Sequence, residues 1–559
     1  MTKSLICAFL ILTTVELVYA GWREPIRAEH GMVVTAEKQA TRIGMSILQQ
    51  GGNAVDAAVA VGFALAVTYP QAGNIGGGGF MVIRTFDGAR FTLDYREKAP
   101  GGADRNMYLD EQGNVVEDAS IVGYLASGVP GSVAGLYRAH KRFGKLPWKN
   151  LVQPAIDLAR SGFPVERDLA ESLESHRDLF SRFPASLAVF TRNGEAYQEG
   201  DTLTQPDLAA TLTQIQAKGP AGFYEGPVAE KIAEDMRSHG GIITAADLKD
   251  YEAVWRDPIE FNYRGYKVIS MPPPSSGGIL LAVCLNTLEN INPAALGHNS
   301  SPLIHFWIET LRHIYADRSR HLGDSDFYDV PVEPLISKSY GKKIFSEINA
   351  GYAANSLTTH PYGEESTETT HFSIVDADGN AVSNTTTLNG SYGSGVVIAG
   401  CGFLINNEMD DFAIKPGYPN IYGLVGDEAN AIMPEKRMLS SMTPTIVEKD
   451  GQVYLILGSP GGGRIITAVA QVISNVLDHK MNIREAVEMP RFHHQWLPDV
   501  TYYEDPGFAR DVIFNLEQKG HVMHKTGSVG CVQAILRDKE HEVWTGWSDP
   551  RRNGSCQGY

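Results

Sequence analysis

Two β-rich runs flank Asp378-Gly379 within Glu364–Asn389, the stretch EESTETTHFSIVDADGNAVSNTTTLN. An Asp-Gly pair between strand-type runs marks a hairpin turn, because these residues tolerate the positive φ that a tight turn needs. Residues paired across a hairpin have numbers that sum to a constant. A two-residue turn at 378 and 379 makes that sum 757, which sets Thr369 against position 388 with Thr387 beside it. One bulged residue in the loop would set Thr387 directly opposite. Either way Thr369, Thr370, Thr385 and Thr387 gather at the open end. Threonine is a good strand former, so a hydroxyl-rich sheet edge accounts for the cluster. That is the commoner cause of such a cluster; a hydroxyl nucleophile held on a rigid strand is the sharper alternative.

Upstream, Ile43, Ile47 and Leu48 fall at helical spacing in Ala40–Gln50, and Gly51-Gly52 end that helix. Asn53 caps a second helix from Ala54 to about Val67, apolar on nearly every face as a core helix is. Gln71–Phe80 (QAGNIGGGGF) precedes the strand Met81-Val82-Ile83. Its glycines imply backbone packed close against a neighbour, and without a following Lys-Ser/Thr they do not read as a phosphate loop. The next strand ends in Asp94-Tyr95-Arg96-Glu97, where Arg96 is either a structural ion-pair partner or a carboxylate clamp. Helices are expected at Leu151–Arg160, Pro227–Ser238 and Ala245–Tyr251, the last with a Thr244/Asp247 capping box. Pro272–Gly278 is a stiff turn into an apolar helix. His305, Glu309, His313 and Asp317 share one helix face; the spacing suits a metal, but without HExxH an ordinary polar face is expected. Residues 350–368 read as an exposed loop, the kind of segment where chains are cut.

After the hairpin, Asn406–Phe412 (NNEMDDF) could hold an ammonium group or form a solvated turn. Residues 416–427 have the composition of a structured lid. A second hairpin turns at Asp450-Gly451. Its outgoing strand, Val453–Leu457, runs into Gly458-Ser459-Pro460-Gly461-Gly462-Gly463-Arg464 and a helix from Ile465. Such a turn exposes backbone N–H groups at a helix N-terminus and can stabilise negative charge, or it can be a tight connection with no ligand. His493 and His494 lack further metal donors at ligand spacing and are expected to be structural.

The chain has 559 residues and is 43% hydrophobic, enough for a large core. A net charge of −17 without a basic run excludes nucleic acid as a partner class and argues against an anionic membrane surface. Residues 1–20 carry Lys3, the apolar run Leu5–Leu12 and a small residue at Ala20, the pattern of a cleaved signal peptide. The run is shorter than the roughly 20 apolar residues that span a bilayer, and no later segment reaches that length. Beyond Ala20, Cys284, Cys401, Cys531 and Cys556 include no CxxC pair, which argues against a cysteine zinc site. One or two disulfides are possible in an oxidising compartment.

These segments together resemble the γ-glutamyltranspeptidase family (γ-glutamyltransferase, glutathione hydrolase) of the bacterial periplasmic type. The likeness runs from about residue 24 to the C-terminus through GGNAVDAAVA (51–60), PQAGNIGGGGFM (70–81), DYRE (94–97), MPPPSSGG (271–278), TTHFSIVDADGNAV (369–382), NNEMDDF (406–412), LSSMTPT (439–445), GSPGGGRIIT (458–467) and RFHHQWLPD (491–499). It implies an α/β N-terminal nucleophile hydrolase, a four-layer αββα sandwich built by two autoprocessed subunits. The expected pieces are a signal peptide (1–20), a large subunit (21–368) and a small catalytic subunit (369–559), cut at Glu368–Thr369, with a periplasmic or secreted location and no membrane anchor. By the same resemblance Thr369 is the nucleophile, Thr387 hydrogen-bonds it, and the N–H groups of Gly461 and Gly462 form the oxyanion hole. Arg96, Ser440 and Ser441 would grip the α-carboxylate of a γ-glutamyl substrate; Asn389, Glu408 and Asp411 would hold its α-ammonium, and Tyr422 would cover it. The implied substrates are glutathione, related γ-glutamyl compounds and amino-acid or dipeptide acceptors, with no metal or organic cofactor. A cephalosporin acylase-like amidase and an uncleaved binding protein remain as alternatives.

Overall fold

A computed structural model of the chain describes residues 24–356 and 369–559. The expected signal peptide and Glu368 lie outside the described residues. Fourteen strands build two sheets of seven. In chain order they begin with β1 (Ile26–Ala28), β2 (Met32–Thr35), β3 (Gly78–Arg84), β4 (Arg90–Tyr95), β5 (Val254–Arg256), β6 (Ile259–Tyr263) and β7 (Tyr266–Ser270). They continue with β8 (Thr370–Val375), β9 (Ala381–Thr387), β10 (Thr445–Lys449), β11 (Gln452–Gly458), β12 (Gln533–Asp538), β13 (Val543–Ser548) and β14 (Ser555–Gly558). One sheet has the order β1-β13-β12-β11-β10-β7-β6 and the other β14-β2-β8-β9-β3-β4-β5.

The sheets face each other across apolar side chains that alternate along the strands, among them Val82, Val375, Ile446, Ile456 and Ile535. Outward-facing residues of the second sheet, such as Ile83, Phe372 and Val382, pack under α1 (Lys38–Gln49) and α2 (Ala54–Thr68). Those of the first sheet, such as Val447, Leu455 and Ala534, pack under α3 (Gly277–Leu288), α4 (Ser301–His321) and α5 (Arg464–Leu477). The result is the expected four-layer αββα sandwich. Every residue of α2 is buried, as its uniformly apolar composition requires, and Asn53 caps it in a capping box with Asp56. The other expected helices form at Trp148–Ser161, Gly226–Ser238 and Ala245–Lys249, the last with its Thr244/Asp247 box. Among the described residues no helix is long and apolar enough to cross a membrane.

The hairpin register corrects the two-residue turn. Thr370 pairs with Thr386 and Val375 with Ala381, a sum of 756. Asp376 and Asn380 close the loop, and Gly379 takes a positive φ of 87°. Three loop residues instead of two add the bulge, which brings Thr387 into line with Thr369. At Asp450-Gly451 the turn does have two residues, both at positive φ, between Lys449 and Gln452. The glycine run also behaves as expected: a Cβ on Gly77 would lie 2.1 Å from the Thr387 carbonyl oxygen. Only glycine lets the chain entering β3 lie that close to the threonine strand. All four cysteines are free thiols, so neither possible disulfide forms.

Away from the open end, the sheets are tied by a buried cross-sheet ion pair. Glu448 on β10 accepts from Arg84 Nε at 3.0 Å and from Arg90, on β3 and β4. These arginines hold its carboxyl below the ordinary value of 4.5. Glu448→Ala leaves Arg84 buried without a counter-charge, a defect that costs about 3–5 kcal/mol. Urea unfolding at pH 7 should show that loss. Because the ionised carboxylate is the form that the arginines hold, the deficit is full above about pH 4.5 and shrinks as pH falls through the depressed native value. Equal stability of the two proteins at pH 7 would contradict this role.

Candidate active site

At the open end of the β8–β9 hairpin, one cleft is lined by Arg96, Thr369, Thr387, Asn389, Glu408, Asp411, Tyr422, Ser440, Ser441 and Gly462. Gly461 is the neighbour of Gly462 in the same turn. Residues as far apart as 96 and 462 therefore converge on one site.

Thr369 immediately precedes β8, and its hydroxyl donates to Thr387 Oγ at 3.4 Å. Thr387 Oγ also accepts the Asn389 N–H at 2.8 Å, so the second threonine is fixed by its own strand end. The Thr369 carbonyl accepts from Arg552 at 3.2 Å. Below the pair, His371 lies between the sheets and bonds Thr385 Oγ at 2.8 Å. Burial pushes this imidazole down to about 3, so it is neutral and structural.

The glycine turn forms as expected between β11 and α5. Gly461 and Gly462 have φ of 128° and 52°. Their N–H groups meet no acceptor among the described residues. Two such donors at the N-terminus of α5 make an anion-stabilising site. A Cβ on Gly462 would strike the Tyr422 ring at 2.3 Å, so glycine is needed to let the lid close. Tyr422 is buried and donates to the Asn389 carbonyl at 2.5 Å.

The charged groups depart from the expected arrangement. Arg96 and the two acids were expected at opposite ends of a ligand, but Arg96 pairs directly with Glu408 and Asp411. The cause is burial: Arg96 is fully buried, and a guanidinium with no counter-charge there would cost several kcal/mol. Its remaining donors reach the carbonyls of Met438 (3.2 Å) and Leu439 (3.3 Å). The NNEMDDF segment is likewise buried, with Glu408–Asp411 as one short 3-10 turn, and not a solvated turn. In the DYRE motif Asp94 plays the structural part, pairing with Arg256 at 2.7 Å and Arg437 at 3.4 Å.

Two polar atoms of cleft-lining residues, Ser441 Oγ and Glu408 Oε2, have no hydrogen-bond partner among the described residues, and behind them Glu97 meets Arg96 only at 3.7 Å. Buried polar groups are normally satisfied, so these mark where a polar ligand can bind. Ser440 Oγ accepts the Met442 N–H at 3.2 Å, which orients the serine pair. Glu97 was quoted within its motif but not nominated; its place beside Arg96 was the available signal. Burial pushes its carboxyl up to about 7, and burial also raises Glu408. Glu97 and Glu408, both raised by burial, therefore favour a shared proton beside the Arg96 guanidinium. Leu424, Met442 and Ile465 complete the wall and were not foreseen.

The histidine expectations divide. His493 and His494 are buried and structural, His493 between Thr467 and Gln495 at 2.8 Å each. In α4, however, His305 and Glu309 are buried, so they are not an exposed polar face.

The sequence model of a family described as Gamma-glutamyltranspeptidase matches residues 40–559. A glutathione hydrolase proenzyme of Escherichia coli (strain K12) is 49% identical over 532 residues, covering 94% of this chain and 91% of that protein. A crystal structure of cephalosporin acylase from Bacillus halodurans superposes with a TM-score of 0.84 at 26% identity, covering 98% and 99% of the two chains. A Helicobacter pylori gamma-glutamyltranspeptidase chain has 50% identity and a TM-score of 0.57, covering 58% of this chain and 94% of its own.

An α-amino-acid head entering this cleft brings an ammonium that favours the fully ionised carboxylates. Its binding must therefore expel the shared proton, and affinity weakens as pH falls below about 7. Calorimetric titration with L-glutamate at pH 6 and 8, in buffers of different ionisation enthalpy, should show weaker binding at pH 6 with proton release. Equal affinity without proton release would contradict the shared-proton arrangement.

Proposed function

Because the chain belongs to the γ-glutamyltranspeptidase family, we infer that it is a γ-glutamyltransferase and glutathione hydrolase whose nucleophile is Thr369. The observation that carries the residue-level reading is the convergence of Thr369, Thr387, the Gly461-Gly462 turn and the Arg96/Glu408/Asp411/Ser441 group on one cleft. The proenzyme is cut at Glu368–Thr369, which divides it into 21–368 and 369–559. Residues 1–20 direct it to the periplasm or the exterior and are removed.

Cleavage and catalysis share one chemical requirement. A threonine hydroxyl is a weak nucleophile and needs an adjacent base. Cleavage frees the α-amine of Thr369, whose ordinary pKa of about 7.7–8.0 suits a base at neutral pH. Thr369 Oγ attacks the γ-carbonyl of the substrate while its proton passes to the amine. The oxyanion meets the N–H groups of Gly461 and Gly462, donors worth about 3–4 kcal/mol each in comparable hydrolases. The leaving amine, cysteinylglycine from glutathione, takes the proton, and a γ-glutamyl ester remains on Thr369. Water then releases glutamate, or an amino acid or dipeptide amine accepts the γ-glutamyl group. Arg96, Ser440 and Ser441 receive the substrate carboxylate. Asn389, Glu408 and Asp411 receive the ammonium, and Tyr422 closes over both. The substrate's two charges replace the direct Arg96–carboxylate contacts, so no buried charge is left alone.

The structural likeness to a cephalosporin acylase supports one second reading, an amidase for side chains without an ammonium. The ammonium acceptors Glu408 and Asp411 favour the γ-glutamyl reading. Activity on γ-glutamyl-p-nitroanilide should exceed that on the glutaryl anilide by well over tenfold, and the reverse order would favour the acylase. Thr369→Ala should give one uncut chain on a denaturing gel and no activity. Two chains from that variant would remove Thr369 from its role.

A further inference from the structure

A second polar cluster lies apart from the cleft. His305 and Glu309 stand one turn apart on α4, and His521 follows the helix Arg510–Gln518. All three are buried, and one donor atom from each lies within 4.8 Å of the others. None of them lines the cleft.

The hydrogen bonds fix which atoms face inward. His305 Nε2 lies 2.7 Å from the Asn349 carbonyl, so that nitrogen carries the proton and Nδ1 presents a lone pair. His305 Nδ1 in turn accepts from His521 Nε2–H at 2.7 Å, a proton that a bound ion would displace. A ligating histidine whose other N–H is held by a carbonyl is the usual outer-shell arrangement of metal sites. Glu309 Oε2 accepts the Ala354 N–H at 3.1 Å, while Oε1 has only long contacts of 3.3 and 3.4 Å to Arg312. Arg312 is committed instead to Asp499 and Ser356 through short contacts. Oε1 is thus the carboxylate oxygen with least to lose. His521 Nδ1 is buried with no partner among the described residues, so the cluster is not a completed hydrogen-bond network.

We propose that His305 Nδ1, His521 Nε2 and Glu309 Oε1 form a structural site for a zinc-type divalent transition-metal ion. Two imidazoles and one carboxylate are a known donor set for such ions. Ligand bonds of about 2.0–2.1 Å require ring nitrogens roughly 3.3 Å apart, so the two rings must separate by about 0.6 Å from their present contact. Neutral imidazole is the ligating form. The ion would fasten α4 and the 349–354 segment to the region around residue 521. If the chain is cut at Glu368–Thr369, as proposed above, it would bridge the two pieces; the site itself does not depend on that cut.

The test uses the purified full protein, dialysed against EDTA and titrated with Co2+ as a spectroscopic probe and with Zn2+ in competition. One equivalent of Co2+ should bind, with visible ligand-field absorption that Zn2+ removes. His305→Gln and His521→Gln should each abolish this binding, and Glu309→Gln should weaken it tenfold or more, while γ-glutamyl anilide activity shows that each variant is folded. Absence of stoichiometric binding in the wild-type protein would overturn the site, and so would binding unchanged in both histidine variants. Should a histidine variant fail to fold, wild-type crystals grown with Zn2+ decide: an anomalous peak between these three side chains supports the site, and none there overturns it.

Discussion

The arrangement depends on where β8 runs. This strand is hydrogen-bonded on both edges, to β2 on one side and β9 on the other, and it lies inside the sandwich. Thr369 stands at its first end and inherits that rigidity. Thr387 is fixed across the ladder, and the glycine turn leaves the end of β11 in the facing sheet. Thr369 and the glycine turn, on opposite sheets, keep their spacing only if the sheets cannot slide. The buried contacts between them, from Val375 and Ile456 to the Glu448 ion pair, hold that spacing. β2 and β3 come from before Thr369 and β8 and β9 from after it, yet they are neighbours in one sheet. A cut at residue 368 would therefore leave the core and the site intact.

The second constraint is electrostatic. One buried guanidinium and three acids share the base of the cleft. Arg96 pairs with Glu408 and Asp411, and a zwitterion would let each sign exchange its partner without exposing an isolated charge. On the proposed function that exchange would favour a head with both charges, because a ligand lacking the ammonium would leave Glu408 and Asp411 competing for Arg96. Ser441 and the glycine turn supply neutral donors, which an anion can use without altering the charge balance.

Much of this was legible along the chain because its signals are local. Asp378-Gly379 marks a turn whatever surrounds it, and an apolar α2 has to be buried. The glycines before β3 demanded a close neighbour, which is the threonine strand itself. The residues assigned through the family resemblance lie together in the cleft, Gly461 through its turn. The failures are non-local. The contact of Arg96 with Glu408 spans 312 positions and follows from burial, which spacing alone does not reveal. The hairpin register hinged on one bulged residue. His305 and Glu309 looked like a polar face because helical spacing identifies a shared face but not what covers it; here the covering residues come from positions 349–356 and 521.

The central claim is that Thr369 becomes the first residue of a second chain and thereby gains its own base. N-terminal sequencing of the smaller band from purified active protein tests it most directly. A start at Thr-Thr-His-Phe is the result expected. A smaller band starting elsewhere, or a single intact chain with full activity, would contradict the account.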